Sequence, residues 1–178
     1  REGRALEEIK NLHCNMVRIW GGGIYEDEFF FDYCDKNGIM VWQDFMFACE
    51  VPPAGDEFIK LVEAEAVQII KKYRNHPSLA VWCGDNEDDL CIEWISLGSE
   101  ALPSDNIITR KILKNTVIRN DPYRSYVASS PYESDRSYTG HRKSDREYFT
   151  TEGHLYPFYK NVSASIRAYK GYFVGEVA

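Results

Sequence analysis

Residues 79–87, LAVWCGDNE, change from an apolar run to a polar turn within a few positions. LAVWC has the length and the branched and aromatic content of a buried strand, and Gly84 marks its end. The chain then continues as DNEDD (85–89), with four carboxylates and one amide. Carboxylates that directly follow a rigid strand are typical of the rim of an active site, so this stretch predicts both a strand and a functional loop.

The same unit of apolar strand and amphipathic helix recurs on both sides of this stretch. We predict helices at 1–12, 26–38, 55–75 and 105–119, and strands at 15–20, 39–45, 79–84, 125–131, 148–152 and 171–176. Apolar strands that alternate with helices indicate an α/β protein with a parallel sheet covered by helices. The candidate folds are a doubly wound sheet and a (β/α)8 barrel.

Three of the predicted helices carry specific local signals. Acidic residues open the helix at 26–38 and Gly38 closes it. Asp105 is the predicted N-cap of the helix at 105–119. The long helix at 55–75 has an apolar stripe that should face the core, formed by Phe58, Leu61, Val62, Ile69, Ile70 and Tyr73.

Polar or aromatic side chains stand where most of the predicted strands end. They are Arg18 and Trp20, Gln43 and Asp44, Asn86 and Glu87, Ser129 and Ser130, and Glu176. A barrel gathers such residues around one mouth, whereas a dinucleotide-binding sheet needs G-x-G-x-x-G after its first strand. The sequence WGGGIYEDEF (20–29) lacks that spacing, and its acids would repel a pyrophosphate. The pattern therefore favours the barrel.

Composition excludes several classes of function. The chain has 178 residues and a formal net charge of -7, which argues against nucleic-acid binding. No run of about 20 apolar residues is present, so we predict no membrane span. Five cysteines without C-x-x-C spacing indicate buried free thiols, and four histidines without an i, i+4 pair make a metal site unexpected. The sequence predicts no cofactor.

Two stretches carry a resemblance to a known family. NMVRIWGGGIYEDEFFFDYCDKNGIMVWQDFMFACE (15–50) and RNHPSLAVWCGDNE (74–87) resemble the catalytic barrel of glycoside hydrolase family 2, in its β-mannosidase branch, as do SSPYES (129–134), EGHLYPFY (152–159) and YFVGEVA (172–178). The resemblance implies a (β/α)8 barrel in which residues 1–178 are one partial domain, from about the second to the seventh strand. Accessory domains of a longer chain are then expected partners.

The resemblance also implies a retaining hydrolysis that uses two carboxylates. By the motif match, Glu87 is the general acid/base, Asn86 its neighbour, and Glu176 the nucleophile. In retaining enzymes these carboxyl groups lie about 5–5.5 Å apart, which only a fold that gathers strand ends can achieve for residues so far apart in sequence. Arg18, at a neighbouring strand end, is expected to keep Glu176 ionised.

The remaining expected contacts concern the sugar. Trp20 resembles a sugar-contacting tryptophan of the family, Asn86 is expected to bond the sugar 2-hydroxyl, and Asp44 to accept from a ring hydroxyl. His154 and Tyr156 match an aromatic element near the nucleophile. Trp82 is expected to wall the acid, and His76 to order the loop before its strand.

The acids around Glu87 depart from the family pattern. An Asn is expected where Asp85 stands, and the additional acids Asp88 and Asp89 are unusual. Asp88, Asp89 and Glu93 are most simply a solvated helix start. These departures bear on sugar specificity more than on mechanism.

Two classes of function remain open from the sequence. The leading hypothesis is an exo-acting retaining β-mannosidase with a β-mannoside or oligosaccharide as substrate. Within the same class, the alternatives are β-galactosidase and exo-β-glucosaminidase. A non-catalytic carbohydrate-binding or scaffold fragment is the alternative from another class, because an incomplete barrel leaves sheet edges open. The sequence leaves the cellular compartment open.

Overall fold

The computed structural model describes residues 2–95, 102–132, 152–155 and 173–177, with side chains for 3–92 and 102–132. Its α-helices are α1 (Glu2–Asn11), α2 (Glu28–Asn37), α3 (Asp56–Tyr73), α4 (Asp88–Ile95) and α5 (Lys114–Asn120). Its strands are β1 (Met16–Ile19), β2 (Met40–Asp44), β3 (Leu79–Cys83), β4 (Ser125–Val127), β5 (Glu152–Leu155) and β6 (Phe173–Val177).

The first four strands form a parallel sheet in the order β1-β2-β3-β4. Each neighbouring pair is joined through helical segments, since parallel strands need a crossover connection. β5 and β6 pair in parallel with each other as a separate two-stranded sheet. The predicted α/β fold with a parallel sheet is therefore confirmed, although the strand predicted at 148–152 lies at Glu152–Leu155.

The core lies between the sheet and the helices. Phe31 of α2 stacks on Tyr73 of α3, with ring centroids 4.2 Å apart, and Trp82 of β3 stacks on Phe45 at 5.3 Å. All four rings are almost completely buried. Stacked aromatic pairs contribute beyond the area that they bury, so the first pair holds α2 against α3 and the second holds β3 against the chain that follows β2.

The buried face of α3 differs by one position from the predicted stripe. Val62, Ala66, Ile70 and Tyr73 are its buried residues, whereas Leu61 is 68 % exposed. The buried set has spacings of four, four and three residues, which keeps it on one face of the helix. Leu61 precedes Val62 by one residue and is therefore turned about 100° away from that face.

The termini of α2 follow the sequence signals closely. The Asp27 carboxylate accepts a hydrogen bond from the Phe30 amide at 3.1 Å, and Gly38 closes the helix with φ of 67°. Glycine adopts this left-handed conformation without steric cost. Further along the chain, His76 bonds Asp35 at 2.7 Å and Glu28 at 3.1 Å, which confirms that it orders the loop before β3.

The segment predicted as one helix at 105–119 is divided. A 3-10 turn at Pro103–Asp105 is followed by a π-helical stretch at Ile108–Leu113 and then by α5. Asp105 does not cap the longer segment, because its carboxylate turns back to the Leu102 amide at 2.9 Å. The Asn106 side chain takes that role and accepts from the Thr109 amide at 3.3 Å.

The remaining structural predictions from the sequence have mixed outcomes. None of the five cysteines is in a disulfide, but Cys14 and Cys49 are exposed, so the expectation of burial is wrong for these two. Within the described residues, no helix combines the length and the apolar character needed to cross a membrane. The polar loop predicted at 132–147 lies, apart from its first residue, outside the described residues.

Candidate active site

The carboxyl ends of β1, β2 and β3 lie side by side and carry the predicted site residues. In the register of the sheet, Arg18 stands opposite Trp42, and Asp44 stands opposite Cys83. Asn86 forms an isolated bridge with Ala48, which brings the chain after β3 against the chain after β2. The sheet therefore gathers Arg18, Asp44, Asn86 and Glu87 at one edge, as parallel strands require.

Arg18 and Asp44 form a buried ion pair at this edge. The Arg18 Nη2 and Nε atoms donate to Asp44 Oδ2 at 2.8 and 3.1 Å, and Nε also lies 3.2 Å from Oδ1. The Trp42 indole and the Gly21 amide donate to the same carboxylate at 2.7 and 3.0 Å. Asp44 is fully buried. Both of its oxygens accept hydrogen bonds within the protein, so Asp44 holds Arg18 in place. Its predicted contact with a sugar ring hydroxyl stays a prediction.

Asn86 is linked directly to this ion pair. Its Oδ1 atom accepts from Arg18 Nη2 at 3.1 Å, and its Nδ2 atom donates towards Cys49 Sγ at 3.6 Å. Its backbone amide donates to the Phe47 carbonyl at 2.9 Å. These bonds fix which way the amide group faces, and the second hydrogen on Nδ2 keeps the predicted bond to a ligand hydroxyl possible.

Glu87 has an unusual backbone conformation for its residue type. Its φ is 65°, in the left-handed region that non-glycine residues rarely adopt. Its amide donates to the Ser130 carbonyl at 2.8 Å, and its own carbonyl accepts from the Cys91 amide at 3.0 Å. Backbone strain of this kind persists only where surrounding bonds impose it, and it is concentrated at functional sites. The observation supports the prediction that Glu87 acts chemically.

Cys49 contacts the Glu87 side chain, which the sequence did not indicate. Its Sγ atom lies 3.5 Å from Glu87 Oε2. Although Cys49 is an exposed residue, partial desolvation of its thiol, together with the hydrogen bond to the Glu87 carboxylate and the charge of that carboxylate, raises the pKa of the thiol to about 11. The thiol is therefore protonated at neutral pH and donates to Glu87. No sequence spacing marks this contact, because Cys49 follows a different strand from Glu87.

Three buried acids flank Glu87 in the sequence, and we call Asp85, Asp88 and Asp89 the acid cluster. All three are fully buried, so the prediction of a solvated helix start is wrong for Asp88 and Asp89. Asp89 pairs with Arg110 through two bonds of 2.7 and 2.5 Å. Asp88 Oδ1 accepts from the Glu50 amide at 3.2 Å. Arg110, from a different helical segment, compensates the buried charge of Asp89.

The acid cluster predicts that stability falls as pH rises. Burial raises the pKa of Asp88 from 3.8 to about 8, and the charges of Glu50 and Asp89 act in the same direction. Between about pH 4 and 8 the folded protein holds a proton that the unfolded chain has released. The free energy of unfolding should therefore fall by up to about 1.4 kcal/mol per pH unit in this range.

In denaturant unfolding from pH 5 to 8, we expect Asp88→Asn to make the dependence of the unfolding free energy on pH shallower. An exposed control, Asp32→Asn, should leave the slope unchanged, and parallel profiles for wild type and Asp88→Asn would contradict the prediction.

The two candidate tryptophans have different environments. The Trp20 ring is 46 % exposed and lies against Gly22, where an added Cβ would stand 2.2 Å from the ring. It is therefore a partly exposed aromatic surface beside the site. Trp82 is fully buried, and its indole donates to Asp121 at 2.9 Å. The structure thus places Trp82 in the core, where it stacks on Phe45, instead of in a wall around Glu87.

The predicted nucleophile lies in the second sheet. Glu176 of β6 is the register partner of His154 of β5. This pairing brings two of the predicted site residues next to each other along the backbone. The side chains of both residues and the whole of Tyr156 lie outside the described residues, so the distance from Glu87 to Glu176 and the predicted contact of Arg18 with Glu176 stay predictions.

Three side chains of types that can bind metal ions lie close together at the other end of the strands. The ligand atoms of Asp32, Asp35 and His76 lie within 4.8 Å of one another, the only such group in the portion that the structure describes. His76 already bonds Asp35 and Glu28 through its two ring nitrogens. His76 and Asp35 therefore anchor the loop before β3, at the opposite end of the strand from Glu87.

Known proteins resemble the chain over most of its length. It is 32 % identical to β-mannosidase of Rattus norvegicus over 164 residues, which cover 88 % of this chain and 19 % of the relative. The chain is a homologue of the β-mannosidases. β-Mannosidase B of Emericella nidulans is 51 % identical over 76 residues, 43 % of this chain and 9 % of that relative. The resemblance predicted from the sequence is thereby confirmed, although no protein-family model matches the chain.

The structural comparison agrees with the sequence comparison. The crystal structure of β-D-mannosidase from Dictyoglomus thermophilum matches with a TM-score of 0.69 and 37 % identity. The match covers 85 % of this chain and 18 % of that chain. The chain thus spans about a fifth of the length of the β-mannosidases that it matches.

Proposed function

We propose that the chain is part of the catalytic domain of a retaining exo-glycosidase that removes terminal β-linked mannose. Homology to β-mannosidases supports the substrate class. The observation that carries the proposal is the arrangement at the strand ends. There Glu87 is held in a left-handed conformation beside Asn86, and Asn86 is fixed by the buried pair of Arg18 and Asp44.

The proposal includes a (β/α)8 barrel, of which residues 1–178 form a single partial domain from about the second to the seventh strand. The consecutive parallel strands β1 to β4, each followed by helical segments or a turn, support this assignment. So does the similarity to the D. thermophilum enzyme. Further barrel strands and accessory domains of the longer protein are then its intramolecular partners.

In the proposed mechanism, Glu87 is the general acid/base and Glu176 the nucleophile. Glu87 donates its proton to the glycosidic oxygen while Glu176 attacks the anomeric carbon, which forms a glycosyl ester and releases the aglycone. Glu87, now ionised, takes a proton from water, and that water cleaves the ester with net retention. The two carboxylates supply the chemistry, so the proposal calls for no cofactor or metal.

The other site residues would orient the sugar. Trp20 offers a partly exposed ring on which the C–H face of a pyranose can stack. Asn86 would bond the 2-hydroxyl, a contact that strengthens as the transition state forms. His154 lies beside Glu176 in the register and would bound the sugar on that side with Tyr156.

A substrate panel tests the proposed function. The natural protein at full length is incubated with aryl β-mannoside, β-galactoside, β-glucoside, β-glucuronide and N-acetyl-β-glucosaminide, and NMR follows the anomer released first. We expect the highest kcat/KM for the β-mannoside and initial release of β-mannose. Preference for another sugar would replace the assigned specificity, and initial release of the α-anomer would overturn retention. Binding of mannosides without cleavage would favour a non-catalytic carbohydrate-binding protein.

A further inference from the structure

Asp85 makes two hydrogen bonds that bracket Glu87. Its Oδ1 atom accepts from the Ser129 hydroxyl at 2.5 Å and from the Asp88 amide at 3.1 Å. The first bond joins the turn after β3 to the chain after β4, and the second closes the turn around residues 86 and 87. Together with the bond from the Glu87 amide to the Ser130 carbonyl, they hold the turn on both sides of Glu87.

The backbone just before Asp85 has no room to move towards the end of β4. An added Cβ at Gly84 would stand 2.2 Å from the Ala128 carbonyl and 2.6 Å from the Tyr126 hydroxyl. The backbone before Asp85 is therefore packed directly on the end of β4. Asp85 itself is fully buried, so its side chain acts within the protein and does not meet a substrate.

The charges around Asp85 do not balance if every acid is ionised. Arg110 is the cation that pairs with the acid cluster, and its two bonds go to Asp89. Among the described residues, Asp85 Oδ2 and Asp88 Oδ2 are buried without a hydrogen-bond partner. An unpaired buried charge costs far more than an unpaired neutral group, so a proton on this side is favoured.

The other titratable groups near Asp85 do not supply the missing positive charge. They are Asp88, Asp89, Cys83, Cys91, Tyr126 and Arg110, with Glu50 beside Asp88. Burial and the negative charges of Asp88 and Asp89 raise the pKa of Asp85 well above its usual value, against the bond from Ser129. Arg110 is the single cation in this set, and Asp89 engages it.

We propose that Asp85 is a neutral carboxylic acid that positions Glu87 by joining Ser129 to the turn between β3 and α4. The role of Glu87 in this inference rests on the proposed function. As a neutral acid, Asp85 has one oxygen that accepts two hydrogen bonds and one oxygen that carries the proton. An asparagine side chain has the same shape and the same division into acceptor and donor.

The test compares Asp85→Asn with Asp85→Ala in the full-length protein, with Asp32→Asn as an exposed control. We expect Asp85→Asn to keep kcat on aryl β-mannoside within about twofold, because it preserves both hydrogen bonds that Oδ1 accepts. Asp85→Ala should lower kcat at least about tenfold with KM changed by less, since a small displacement of a catalytic group is costly. A loss of kcat in Asp85→Asn as large as that in Asp85→Ala would overturn the neutral-acid assignment.

Hydrogen exchange supplies a readout that is independent of activity. The Glu87 and Cys91 amides should lose protection in Asp85→Ala and in Ser129→Ala, and keep it in Asp85→Asn. Ser129→Ala keeps the acid and removes only its donor, so it decides the question if Asp85→Ala does not fold. Unchanged protection in Ser129→Ala would overturn the positioning role. If the protein cleaves no glycoside but hydrogen exchange follows the expected pattern, the proposed function fails, while the structural role of Asp85 in holding the turn stands.

Discussion

Alanine at position 87 or 176 is expected to lower turnover of an aryl β-mannoside by about 10²–10⁴-fold or more, and azide is expected to restore it with opposite products. In Glu176→Ala the space left by the nucleophile admits azide, which attacks the anomeric carbon from the face that Glu176 occupied. The product is then α-mannosyl azide. Glu87 remains available to protonate the leaving oxygen.

The expected product of Glu87→Ala is β-mannosyl azide. With an activated leaving group such as dinitrophenolate, the ester to Glu176 still forms because no proton donor is needed at that step. Its hydrolysis lacks a general base, and azide, which needs none, attacks the ester from the opposite face. Glu57→Ala, at an exposed site in α3, is the matched control and should keep wild-type turnover. Identical azide products from both variants, or no loss of turnover in either, would refute the assignment of the two carboxylates.

Removing Arg18 is expected to cause the largest loss of stability among single changes at the site. Asp44 is fully buried and Arg18 is its bidentate cationic partner, so Arg18→Ala leaves a buried carboxylate uncompensated. Loss of one member of a buried pair costs about 3–5 kcal/mol. Native-state hydrogen exchange of the β2 amides would measure this as a lower free energy of opening.

Two further variants separate the ion pair from a general effect of lost charge. Arg18→Lys should recover only part of the stability, because an ammonium group cannot make the two-pronged contact with Asp44. Arg119→Ala is the control, since Arg119 and Glu63 form a pair with side chains that are 60 % and 41 % exposed. Such surface pairs contribute about 0–1 kcal/mol. Equal losses for Arg18→Ala and Arg119→Ala would show that burial of the Asp44 pair has no special weight.

Local signals in the sequence determined much of the fold. Alternating apolar strands and helices predicted the parallel sheet, and Asp27 and Gly38 mark the ends of α2 as the acidic start and the glycine indicated. Polar residues at strand ends correctly placed Arg18, Asp44, Asn86 and Glu87 at one edge, because parallel strands end on the same side. These predictions depend only on spacing along the chain.

The interactions that the sequence did not reveal are made between distant segments. A run of acids after a strand has the composition of a solvated helix start, and only the approach of Arg110 and Ser129 makes burial of Asp85 and Asp89 favourable. Asp44 is polar and stands at a strand end, but it is buried and accepts hydrogen bonds from Arg18, Trp42 and the Gly21 amide. Whether a carboxylate at a strand end faces solvent or is buried depends on tertiary packing, which the spacing of residues along the sequence does not reveal.

The turn after β1 has a consequence for how sugar specificity can change during evolution. A Cβ at Gly21 would stand 2.2 Å from the Phe47 carbonyl, and that carbonyl accepts the Asn86 amide. The backbone next to Trp20 and the chain that bears Glu87 therefore meet at the same main-chain carbonyl, with no side chain between them. In the proposed enzyme, the position of the Trp20 stacking surface relative to the proton donor Glu87 is therefore set by the backbone. A change of sugar specificity during evolution is then expected to come from side chains on the surrounding loops, while the catalytic residues keep their arrangement.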